Sequence, residues 1–74
     1  MATITVKQAL PRLRKIVFDG NAEKIGRSVV DVFTANAILK VYDALTPSNR
    51  ERLELLPVPL AATVSFRLLT SART

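Results

Sequence analysis

The chain has 74 residues, with 49% apolar and 23% charged side chains. It has no histidine, cysteine or tryptophan, and eleven basic residues against six acidic ones give a net charge of +5. That length supports one small domain over residues 1–74. The missing residue types rule out disulfides, cysteine-ligated zinc and any histidine-based acid or base.

The first predicted element is a helix over Ile4 to Phe18, with Thr5 as N-cap and Gln8 as its capping-box partner. At 100° per residue, Val6, Ala9, Leu10, Leu13, Ile16 and Val17 share one arc. Lys7, Arg12, Arg14 and Lys15 fall opposite and form the densest basic patch in the chain. Pro11 removes a backbone donor inside this helix and predicts a kink or break. Asp19-Gly20-Asn21 is a turn.

A second helix is expected over Ala22 to Phe33. Ile25, Val29, Val32 and Phe33 lie on one face at i, i+4, i+7 and i+8. Gly26 falls among these apolar positions and points to close approach of another backbone. The run Val29 to Phe33 also suits a short strand, but its neighbours show no matching pattern. Thr34 is positioned to cap a third helix, Ala35 to Leu45. Asn36, Lys40 and Asp43 are its polar strip, and the rest is apolar enough to make it the centre of the fold.

Thr46-Pro47 starts a fourth helix that runs to about Leu56, with Ser48 and Glu51 as an alternative capping box. Pro57 and Pro59 separate it from a last helix over Leu60 to Thr70. That helix has two apolar arcs, Leu60/Val64/Leu68 and Ala62/Phe66/Leu69, of which one serves the core and the other needs a partner. Thr63 to Leu69 is also a tolerable strand. Ser71 to Thr74 should fray. The expected architecture is all-α, a compact bundle of four to five short helices joined by short turns.

Few chemistries fit these residues. Ser28 and Lys24 stand one helical turn apart, an arrangement that arises constantly on solvated faces. Glu51 and Glu54 alternate with Arg50 and Arg52, the pattern of an exposed, charge-laced helix. No carboxylates converge by spacing on a metal, and neither glycine belongs to a phosphate-binding loop. The expectation is a protein without catalytic activity, cofactor, metal or small-molecule substrate. The longest uncharged stretch, 55–66, contains two prolines and is too short to span a bilayer. The amino-terminal residues lack the form of a signal peptide, so a cytoplasmic protein is expected.

Nucleic acid is a compatible partner for the patch of Lys7, Arg12, Arg14 and Lys15, through salt-sensitive phosphate contacts. The third and last helices offer too few polar side chains to read bases in a major groove. The same first helix could lie on a membrane surface, but its apolar face is what so small a core most needs. Protein contact fits best, because the third and fifth helices carry more apolar surface than a small interior hides. The expected interface is Leu55, Ala62, Phe66 and Leu69, and the expected partner is a second copy of the chain.

The segments Ile25-Gly26-Arg27-Ser28-Val29-Val30-Asp31-Val32-Phe33-Thr34-Ala35, Val41-Tyr42-Asp43-Ala44-Leu45-Thr46-Pro47 and Asn49-Arg50 resemble small uncharacterised proteins of bacteriophages that infect mycobacteria and their relatives. The similarity runs from Lys24 to Leu69 and consists of caps and core residues. It implies a protein made in the cytoplasm of an infected or lysogenic bacterium. There such chains bind a host protein, regulate transcription or self-assemble. It assigns no functional residue.

Overall fold

A computed structural model describes residues 4–71, and its elements run α1 (Val6–Asp19), β1 (Glu23–Ile25), β2 (Ser28–Val30), α2 (Val32–Ala44), α3 (Pro47–Glu54) and α4 (Val58–Ser71). The chain is thus mainly helical with a small two-stranded sheet, not strictly all-α. Its principal extents are 31 × 26 × 17 Å.

α1 begins as its sequence predicts. The Gln8 side chain accepts from the Thr5 backbone N–H at 3.1 Å, which satisfies one donor that the helix start leaves free. Val6, Ala9, Leu13 and Ile16 are buried along one stripe. Fully burying a side chain such as Leu13 is worth roughly 1.5–3 kcal/mol. The break expected at Pro11 does not occur, and the helix runs on to Asp19. Pro11 and Lys7 are both exposed, so the carbonyl that loses its donor faces water. Buried residues on either side of the proline hold the helix through it. Gly20, at φ 73°, closes α1 in the left-handed conformation, and its N–H donates to the Ile16 carbonyl.

The expected second helix is instead an antiparallel hairpin with Glu23 opposite Val30, Lys24 opposite Val29 and Ile25 opposite Ser28. Gly26 has φ 63°, and no non-glycine residue among the described residues has positive φ. That is the signature of a two-residue II′ turn, whose first central position needs glycine. Ile25 and Val30 are buried while Lys24 and Val29 point outward, so a period of two wins over 3.6. The close neighbour of Gly26 is a side chain, not a backbone: a Cβ there would stand 3.3 Å from Ile4 Cδ1.

α2 starts earlier than its predicted Thr34 cap. Asp31 is the N-cap, and its carboxylate accepts from the Thr34 N–H at 2.7 Å. Thr34, by its hydroxyl and then its backbone N–H, holds the Asp31 carboxyl below its ordinary range. Ala35, Ala37, Ile38, Leu39 and Val41 are buried, and α2 packs most extensively against α4 and α1. At its carboxyl end Arg50 donates from Nε to the Tyr42 carbonyl and from a terminal nitrogen to the Asp43 carbonyl, each at 2.9 Å. The Tyr42 hydroxyl donates to Glu54 at 2.7 Å, and this bond to a carboxylate raises the phenol above its usual range. α2 and α3 are thereby fastened at their junction.

Thr46 and Pro47 start α3 as expected, and Leu53 is its buried contact with the core. Pro57 precedes α4, and Pro59 lies in its first turn, where backbone donors are unpaired anyway. The segment Thr63 to Leu69 is helix, not strand, and Ser71 belongs to the helix rather than to a frayed end. The rest of that expected tail, 72–74, lies outside the described residues. The start of the described chain joins the α3–α4 corner: Val6 N donates to Leu56 O at 2.9 Å, Val58 N to Ile4 O at 3.1 Å, and Thr5 pairs with Pro57.

Candidate functional site

α4 is apolar around most of its circumference, and the core fully buries only one strip of it. Val58, Ala61 and Ser65 face inward and are buried. On one flank lie Ala62, Phe66 and Leu69, all half-buried, with Ala62 and Leu69 packed against the core cluster. On the other flank Leu60 is 49% exposed and Leu68 46%, with Val64 half-buried between them. These three stand at i, i+4 and i+8, one above another along the helix. Thr63, Arg67 and Thr70 complete the circle and are exposed.

The flank holding Phe66 and Leu69 does not meet α2 edge to edge. A cavity of about 390 Å³ opens between the helices, with Phe33, Asn36, Ala37 and Lys40 of α2 on one side and Phe66, Leu69 and Thr70 of α4 on the other. Phe33 is 73% exposed. Its ring meets that of Phe66 edge-on, with centroids 5.7 Å apart and planes at 65°, a favourable quadrupole arrangement. The Thr70 hydroxyl donates back to the Phe66 carbonyl at 2.8 Å. Lys40 is exposed and has no ion-pair partner among the described residues.

Of the four interface residues expected from the sequence, Phe66 and Leu69 line this groove. Ala62 lies one turn earlier on the same flank of α4. Leu55 is exposed at the end of α3 and does not line the groove. The sequence reading missed Phe33 and Lys40. Its helical spacing with Ile25, Val29 and Val32 puts Phe33 on one face of a helix that does not form. The usable signal was its position just after the Asp31 cap, which puts it in the first turn of α2.

The basic patch is less concentrated than its sequence suggests. Arg14 reaches Asp43 at 3.5 Å and Lys15 reaches Glu23 at 3.9 Å, so half the patch has a carboxylate beside it. Lys7 and Arg12 have no ion-pair partner among the described residues, but five positions on a helix set them about 140° apart. The four cations therefore do not converge on one anion. Phe18, at the end of the same helix, is 90% exposed, and Val29 is exposed on the hairpin's outer face.

No group of three or more acidic side chains that could hold a metal ion occurs among the described residues. No helix among them is long and apolar enough to cross a membrane. No protein-family model, curated protein or solved structure matches the chain.

Proposed function

We propose that this chain is a non-enzymatic contact protein that self-associates, in keeping with the small phage accessory proteins it resembles. The observation that carries the reading is α4, an element apolar on both flanks, whose own domain buries the strip between them and leaves Leu60 and Leu68 exposed on one flank. Exposed apolar stripes of this kind mark surfaces that other proteins cover. The Leu60/Val64/Leu68 flank contains no charge, so two copies can oppose it in a two-fold contact without setting like charges together.

Sedimentation across a concentration series tests this. A dimer is expected for the wild-type chain and a monomer with unchanged helicity for Leu60→Asp/Leu68→Asp. A strict monomer at every concentration removes the self-association.

The net charge of +5 and the two α1 cations without an ion-pair partner among the described residues, Lys7 and Arg12, favour a second reading, a small DNA-binding regulator. It predicts an electrophoretic shift of duplex DNA that weakens steeply with salt and disappears in a Lys7→Ala/Arg12→Ala variant. The ion pairing of Arg14 and Lys15 makes this the weaker reading.

A further inference from the structure

We propose that the groove between α2 and α4 receives an acidic amphipathic helix from another protein, with apolar anchors against Phe33 and Phe66 and a carboxylate at Lys40. The proposal rests on the contact reading above and names the partner for a different face of α4 from the one assigned to self-association.

The α2 wall presents Phe33, Asn36, Ala37 and Lys40 at i, i+3, i+4 and i+7, so the groove extends along about two helical turns, roughly 10 Å. A partner helix presents its own anchors at the same spacing. Phe33 stands up as an exposed ring, propped edge-on by Phe66, with Ala37 and Leu69 as the apolar lining beneath. A preset aromatic of this kind is the usual centre of a binding surface.

Charge selects the partner. Among the described residues Lys40 is the only charged one lining the groove, and none of them gives it a carboxylate of its own. An occupant with a carboxylate at that end supplies what the protein does not. A second copy does not supply it. In a two-fold contact the patch faces itself, and this patch holds no acidic residue to receive either lysine. The overall charge of +5 acts in the same direction, drawing an acidic segment toward the chain.

Fluorescence anisotropy with three labelled model helices tests the proposal. All carry the same Leu and Phe anchors at i, i+3/i+4 and i+7, with glutamate, glutamine or lysine at the flanking positions. The wild-type protein should bind the glutamate helix about fivefold more tightly than the glutamine helix, as expected of one partly exposed ion pair. The lysine helix should bind weakest. Lys40→Glu should invert that order. Lys7→Glu makes the same change in net charge away from the groove and should leave the order intact. Phe33→Ala should weaken every helix by about tenfold. All three positions are exposed, and circular dichroism verifies that the variants remain folded.

Binding that ignores the flanking charge, a preference that survives Lys40→Glu, or no binding at all overturns the proposal. So does loss of the dimer in Phe33→Asp, because the occupant is then a second copy. If no helix binds but the dimer persists and depends on Leu60 and Leu68, the groove proposal falls and the contact reading stands. If there is neither binding nor dimer, both fall.

Discussion

Replacing Ser65 by alanine should make this protein more stable. Ser65 is 0% exposed, and its hydroxyl has no hydrogen-bond partner among the described residues. Two threonines of the same helix show the usual remedy: Thr63 donates to the Pro59 carbonyl at 3.2 Å and Thr70 to the Phe66 carbonyl. Ser65 does not follow them. A buried hydroxyl without a partner costs about 1–3 kcal/mol. Alanine also gains up to roughly 0.5 kcal/mol of helix propensity over serine. Against this stands the small void left by one oxygen atom, about 0.5 kcal/mol. The last two nearly cancel, so the net expectation is a gain of about 1–3 kcal/mol, which in a domain this small raises Tm by roughly 5 °C or more. Urea denaturation is the assay, and the midpoint should rise at constant slope because the surface exposed on unfolding is unchanged. Ser65→Val is the counter-test: its added methyl groups have no room at a fully buried position, and it should lose about 1–3 kcal/mol. If Ser65→Ala instead loses more than about 0.5 kcal/mol, the hydroxyl is satisfied and the reasoning is wrong.

The two glycines should respond differently to alanine. Gly20→Ala meets open space and bears only the conformational cost, about 1 kcal/mol, whereas Gly26→Ala also crowds Ile4 and should cost about 1–2 kcal/mol by the same denaturation assay. Arg50→Lys keeps the charge but loses the fork that holds two carbonyls at the end of α2, and a loss of about 1 kcal/mol is expected from its denaturation midpoint. Asp31→Asn tests the helix cap through pH. The folded carboxyl titrates below its ordinary value of 3.8, so its contribution is complete above about pH 4 and is lost as pH falls through the lowered value. The stability advantage of wild type over Asp31→Asn should therefore shrink on acidification below about pH 4, read by thermal melts across that range.

Two of the four helix starts among the described residues were the most legible features of the sequence, since a cap and its partner lie within four residues of each other. Thr5 with Gln8 and Thr46 with Pro47 mark the beginnings of α1 and α3 where the structure has them. The hairpin was not legible for an equally local reason. Three-residue strands show too little alternation to compete with Ile25, Val29, Val32 and Phe33, which happen to fall at helical spacing. The deciding signal was Gly26, which disfavours a helix interior and suits a tight turn. Misreading that segment also hid Phe33. The groove was beyond local reading altogether, since Phe33 and Phe66 meet only because α2 packs on α4, and no spacing within either helix specifies that pairing. Nor could spacing foresee that Asp43 and Glu23 would stand beside Arg14 and Lys15.

The stitch between Ile4–Val6 and Leu56–Val58 has a consequence for how the protein is made. The first helix cannot seat its leading end until the α3–α4 corner has left the ribosome. At about 5–20 residues per second, those intervening residues hold the nascent chain open for several seconds. Throughout that interval Val6, Leu13 and Ile16 lack part of their eventual cover, so the emerging polypeptide passes through a stage at which chaperones or proteases can seize it.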